Sequence, residues 1–275
     1  MKEFDVENSR WWTYALLLLG GTAFFLLLYA LCQSAMFSVP ERFVIPSGFV
    51  LGAALLGLYV LSLHILGKHW PSSSELCRMP LGITRGFIIG VLYFVATTSL
   101  IALSGCYRIS CVSYYKSFIS QVSFFFMVAC GEEVVFRGVL FRLIDRKWGF
   151  AVALSVSAVL FGGMHILNDG ATLWSSAAIA IEAGLMLGVA YKCSGTLSLP
   201  IGIHWSWNLM EGPVLGFPVS GEGIGQSIIT PQIQGPDIIT GGEFGPEASI
   251  YASILGLAVT LIILHFYNQR RSQTF

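Results

Sequence analysis

The sequence predicts an all-α, polytopic integral membrane protein with about eight transmembrane helices and both termini cytoplasmic. Three observations predict it: composition, the spacing of apolar runs, and the distribution of Lys and Arg. Of 275 residues, 55% are hydrophobic and 11% are charged. A soluble domain carries roughly a quarter charged residues. A charge at the bilayer centre costs about 2.5–3.5 kcal/mol even on the lenient insertion scale, so spans are depleted in charge. The formal net charge is zero, which gives no support to a nucleic-acid partner.

A helical span needs about 20 mostly apolar residues. Eight stretches meet this: 12–35, 45–66, 84–104, 118–141, 149–167, 173–191, 197–216 and 248–267. The run following residues 1–10 is too long for the core of a signal peptide, so it reads as the first span. With the N-terminus inside, Lys2, Arg10, Lys68, Arg78, Arg85, Arg142, Arg146, Lys147, Lys192, Arg270 and Arg271 fall on inner segments. Arg42, Arg108 and Lys116 fall outside, and Arg137 lies within a span. This is the bias that the positive-inside rule expects. Reversing one span destroys it, which favours eight spans over seven or nine.

The chain reads as a single membrane domain. Residues 1–117 supply N-terminal spans, 118–222 a polar-bearing core, 223–247 a Gly/Pro-rich loop, and 248–275 the last span with a basic tail. Residues 209–247 hold no Lys or Arg and five acids, Glu211, Glu222, Asp237, Glu243 and Glu247. Turn chemistry dominates there, so the segment reads as an extracytoplasmic loop that either covers a site or links two spans. Cys106 and Cys111 share one outer loop; a disulfide and two free thiols are both open. In the sixth span Ala177, Ala180, Gly184 and Gly188 form a small face suited to close helix packing.

Ionisable groups within the membrane are costly and mark a site or an internal pairing. They concentrate in the fourth to seventh spans. The fourth carries Glu132, Glu133 and Arg137. Glu133 and Arg137 are four apart and can pair on one helix face. Glu132 lies about 100° around the helix, free to act as a general base or acid. The bland reading is a Glu–Arg clamp between helices. The fifth span ends on Phe161 and His165, and a lone His there is more often interfacial than catalytic. The seventh holds His204 and Asn208, four apart, whose donors can converge on a developing oxyanion; the bland reading is an interhelical hydrogen bond. Glu182, in the sixth span, either lines the cavity or accepts a bond from one of the histidines. Together these groups can activate water and hydrolyse an amide. They could also bind a divalent metal.

The ordered motifs Glu132-Glu133-x-x-x-Arg137, Phe161-x-x-x-His165 and His204-x-x-x-Asn208 resemble the CPBP family of intramembrane proteases, which includes CAAX proteases and bacteriocin-processing enzymes. Segments around Glu182, Gly184, Leu199–Gly202 and Gly212–Gly221 look like its bacterial branch, which implies a multi-pass protein of a cell membrane. The resemblance covers about 120–222. It implies an eight-span helical fold and a metal-free, glutamate-type mechanism without a cofactor. It also implies that Glu132 and His165 activate water, that His204 and Asn208 hold the oxyanion, and that Glu133 and Arg137 support them. The expected partners are the lipid bilayer and a membrane-embedded or membrane-associated peptide substrate. No residue here specifies a prenyl chain. Two other readings stay open: a non-catalytic scaffold or bacteriocin-immunity-type protein, and a transporter with a midplane ion site.

Overall fold

A computed structural model describes residues 10–66, 73–223 and 225–272. All eight expected spans are helical. We label them α1 (Trp11–Ser38), α2 (Glu41–Ile65), α3 (Ser73–Leu103), α4 (118–148), α5 (Phe150–Leu167), α6 (Leu173–Ser194), α7 (198–214) and α8 (Ile250–Ser272). Six of these are long and apolar enough to cross a membrane: α1, α2, α5, α6, and the Met79–Leu103 and Ile250–Gln269 portions of α3 and α8. The other two, α4 and α7, carry most of the ionisable groups noted above. The chain is an all-α polytopic membrane protein. On α1 and α8 the outward faces are apolar, with Leu19, Leu27, Leu31, Leu261 and Phe266 exposed, as a lipid-facing surface requires.

Close approach of α3 and α7 sets the architecture around the site. A Cβ at Gly86 would run into the carbonyl of Leu199, and one at Gly202 into that of Ile83. Bare backbone at this crossing lets the helices approach more closely than side chains would allow. The small face of α6 packs as its composition suggests: Gly184 sits on Ala158, and Gly188 sits on Leu154 and Phe141. Gly162 of α5 meets the Ser176 carbonyl and Ala180.

The outer loops form more structure than turn chemistry alone suggests. Strand β1 (Tyr107–Val112) pairs antiparallel with β2 (Ile229–Ile233), with a bulge between Ile109 and Cys111. Pro231 stands on this two-stranded ribbon, where a missing N–H is tolerated. Tyr107 stacks on Phe217 with ring centroids 5.0 Å apart, and its hydroxyl donates to the Leu215 carbonyl at 2.8 Å. Cys106 is buried and Cys111 exposed, and both are free thiols, so the two-thiol alternative holds.

One reading of the acidic loop needs correction. Glu211 is not in a loop. Helix α7 continues through a π-helical turn over Met210–Val214, and Glu211 within it is fully buried. The Gly-Pro pair that follows does not stop the helix, because a π turn already lacks the regular i→i−4 bond that proline would remove. Glu247 is also buried, in a 3₁₀ turn leading into α8.

Candidate active site

Among the described residues four π-helical turns interrupt the bundle, and three of them hold buried ionisable residues: Val134–Phe141 holds Arg137, Ala180–Gly184 holds Glu182, and Met210–Val214 holds Glu211. A π turn slips the hydrogen-bond ladder by one residue and leaves backbone carbonyls for other donors. Arg137 uses such carbonyls. Its Nη2 donates to the Ala183 and Gly184 carbonyls at 3.2 and 3.3 Å, and its Nη1 to Glu133 Oε1 at 2.8 Å. Both side chains of this pair are wholly buried. The guanidinium also lies over the Phe161 ring, 4.5 Å from its centroid.

Glu133 Oε1 has a second donor, His204 Nδ1, at 2.9 Å. A carboxylate can only accept, so the Nδ1 proton is held there and Nε2 faces the other way. His204 Nε2 is 3.8 Å from Glu132 Oε2. Glu132 Oε1 accepts from the Tyr29 hydroxyl at 2.9 Å, and Gln33 Nε2 donates to that hydroxyl at 2.8 Å. Gly131 makes this contact sterically possible, because a Cβ there would collide with the Tyr29 ring. The two adjacent glutamates thus face different partners: Glu133 is neutralised by Arg137, while Glu132 meets a phenol and an imidazole edge.

His165 lies at the start of the 3₁₀ turn that ends α5. Its Nδ1 is 2.7 Å from the Phe161 carbonyl. A carbonyl also only accepts, so Nδ1 carries the proton and Nε2 presents a lone pair. The Phe161 ring stands between the two histidines, 5.0 Å from His165 and 6.1 Å from His204. Among the described residues, no hydrogen bond joins His165 to Glu132. Asn208 is buried one turn beyond His204, and no hydrogen bond among the described residues engages its side chain.

Glu182 stands elsewhere. It is wholly buried and accepts from the Tyr93 hydroxyl at 2.8 Å, beneath Gly256 of α8. Its donor is a tyrosine of α3, not a histidine. Among the described residues, no group of three or more His, Cys, Asp or Glu side chains is arranged to hold a metal ion.

Several residues around the site escaped the sequence reading. Tyr29 is one tyrosine among ten and has no motif to mark it. The loop after α7 packs down onto the α5 end: Asn168 Nδ2 donates to the Ser220 carbonyl at 2.7 Å, and Ser220 Oγ donates to Glu247 Oε2 at 2.6 Å. Gly221 lies against the Asp169 carbonyl with φ of 87°, where a side chain would be both strained and obstructed. Partial desolvation, and then the charge of Glu132, push the Glu222 carboxyl above its ordinary value. Glu222 therefore belongs to the electrostatic surroundings of Glu132. Of the two roles open for this loop, covering the site is the one its packing favours.

Residues 115–210 match the family model described as Rce1-like, type II CAAX prenyl endopeptidase Rce1-like. Over these residues the chain is similar to CAAX prenyl endopeptidases. The matched segment contains all three motifs, from Glu132 to Asn208, and supports a CAAX-type intramembrane protease. No curated protein and no solved structure matches the chain. Tyr29 and Glu247 lie outside the matched residues, so two of the contacts that frame the site come from parts of the chain the family model does not describe.

Proposed function

We propose that the protein is a glutamate-type intramembrane endopeptidase in which Glu132 activates water. The observation that carries this reading is the approach of Glu132 Oε2 and His204 Nε2 to 3.8 Å. That distance is too long for a direct hydrogen bond and short enough for one water to touch both groups. Tyr29 donates to the other oxygen of Glu132, which leaves Oε2 to receive a proton. His165 Nε2, with its tautomer fixed by the Phe161 carbonyl, accepts the water's second hydrogen and orients the attack.

The water oxygen bonds to the scissile carbonyl carbon as Glu132 takes its proton. Charge develops on the carbonyl oxygen. His204, carrying a proton on Nε2, and the uncommitted Asn208 amide donate to it. The carbon–nitrogen bond then breaks, and the proton on Glu132 passes to the leaving amine. Glu133 and Arg137 position His204 and do not touch the substrate. A donor pair of this kind is worth about 2.7–4 kcal/mol per donor in the transition state.

The substrate in this reading is a peptide presented from the membrane. Cleavage next to a prenylated cysteine, the activity named in the matched family description, is one candidate. The apolar surround of the site is equally compatible with other membrane-associated peptides. The test compares membrane-fraction peptides from cells carrying wild type, Glu132→Gln and His165→Ala, alongside a prenylated and an unprenylated CAAX peptide incubated with each purified protein. A fragment present with wild type and absent with both variants is expected. The same fragment at full yield with Glu132→Gln defeats the reading.

A further inference from the structure

We propose that Gln33 is a positioning residue of the active site: acting through Tyr29, it keeps the proton that Glu132 takes from water on Oε2. This inference rests on the reading of Glu132 as the group that activates water. Helix α1 (Trp11–Ser38) holds no Asp, Glu, Lys or Arg and a single carboxamide, Gln33. A carboxamide within an apolar span is costly unless it is hydrogen-bonded. Gln33 lies four residues beyond Tyr29, on the same helix face. That face is about 200° around the helix from the exposed Leu27 and Leu31.

The hydrogen bonds fix a direction. Gln33 Nε2 is 2.8 Å from the Tyr29 hydroxyl oxygen, and an amide nitrogen only donates. The phenol oxygen therefore accepts from Gln33, and its single hydrogen goes to Glu132 Oε1 at 2.9 Å. The Tyr29 ring is buried and packed on Gly131, where a Cβ would collide with it. The hydroxyl is held at one place, and Gln33 settles which way its hydrogen points.

This direction matters once Glu132 holds a proton. A neutral carboxyl carries its proton on one oxygen or the other. On Oε1 the proton would point at Tyr29, and the hydroxyl would have to turn and accept it, away from the leaving amine. On Oε2 it faces the gap to His204 Nε2, 3.8 Å across, where the proposed reaction takes place. Gln33 fills the acceptor side of the phenol, Tyr29 donates to Oε1, and the proton stays on Oε2. From there it passes to the leaving nitrogen as the carbon–nitrogen bond breaks. Gln33 itself touches neither water nor substrate.

Two measurements on the full-length protein in detergent test this, and the first needs no substrate. Ultraviolet resonance Raman difference spectra, each taken against the same protein carrying Tyr29→Phe, isolate the Tyr29 ring doublet. Wild type should show the intermediate intensity ratio of a hydroxyl that both donates and accepts. Gln33→Met, similar in shape and without a donor, should shift it to the donor-only ratio. Gln33→Lys, which donates and does not accept, should leave it unchanged. The second measurement is steady-state cleavage of the peptide whose fragment is lost with Glu132→Gln. Gln33→Met should lower kcat by roughly three- to tenfold with KM within about twofold, and Gln33→Lys should keep most of the rate. In a Tyr29→Phe background neither substitution should change the rate further. The inference is overturned by an unchanged Raman ratio or full cleavage in Gln33→Met. Equal loss in Gln33→Lys and Gln33→Met also overturns it, because the role is then packing. So does an effect that persists without the Tyr29 hydroxyl. Full-rate cleavage by Glu132→Gln defeats the protease reading and this inference with it. An inactive Glu132→Gln beside a fully active Gln33→Met defeats this inference alone.

Discussion

His204 Nδ1 lies 2.9 Å from Glu133 Oε1, the same oxygen that receives Arg137 Nη1 at 2.8 Å. One carboxylate oxygen therefore neutralises a buried guanidinium and orients an imidazole. Removing it should damage two properties that can be measured apart. Glu133→Ala leaves Arg137 buried without its anion, and breaking one side of a buried pair costs about 3–5 kcal/mol. A marked fall in thermal unfolding temperature in detergent is expected. Glu133→Ala/Arg137→Met replaces the pair with apolar groups and should recover most of that stability. Activity should stay low in both, because His204 has lost its orienting partner. Recovery of cleavage in the double variant would show that orienting His204 is not the task of Glu133.

Tyr29 offers a sharper test of Glu132. Its hydroxyl donates to Glu132 Oε1 at 2.9 Å, and it belongs to the first span. Tyr29→Phe removes one oxygen and leaves the ring packed against Gly131. A hydrogen bond to a charged group contributes about 1.5–3 kcal/mol. Cleavage of the fragment absent in Glu132→Gln cells should fall by roughly 10–100-fold, with an unfolding temperature close to wild type. An unchanged rate would mean that Glu132 does not need this donor.

The contrast between Tyr29 and the three motifs shows what the sequence makes legible. Spans are readable because a bilayer demands long apolar runs, and all eight proposed from hydropathy are helical. The Glu133–Arg137 pair was readable from i,i+4 spacing alone. The Glu133–His204 bond spans 71 residues, and no local periodicity encodes which imidazole edge meets which carboxylate. Glu211 was misread because Gly212 and Pro213 look like a turn; a π turn, sustained by packing, overrides them. For Glu182 the sequence leaves a cavity-lining role and a histidine donor both open; the donor is Tyr93, 89 residues away, a pairing that no local spacing encodes.

Asn208 should separate binding from chemistry. Its amide is buried and uncommitted, so substrate loses little ground-state support when it is truncated. Asn208→Ala should lower kcat by roughly 10²–10³-fold with KM nearly unchanged, the pattern of a group that acts only on the developing oxyanion. A rise in KM at constant kcat would instead make Asn208 a substrate-binding residue.

The loop beside the site makes stability depend on pH. Burial pushes the Glu247 carboxyl above its ordinary value, and the bond from Ser220 with the charges of His165 and His204 only partly offsets that. Glu247 also faces Glu211, and its charge is felt by Glu182. In the folded protein this carboxyl keeps its proton at a pH where an unfolded glutamate, with a value of about 4.3, has lost it. The native state then binds more protons than the unfolded state, so stability falls as pH rises. The favourable contribution is complete below the unfolded value and is lost as pH climbs through the raised folded value. Glu247→Gln is neutral throughout, and its amide oxygen can still accept from Ser220. Thermal unfolding followed from about pH 4.5 upward should show a decline in wild type that is shallower in the variant. Parallel pH profiles for the two proteins would place the titrating group elsewhere, and a steeper decline in Glu247→Gln would mean that the native carboxyl is ionised and held by His165 and His204.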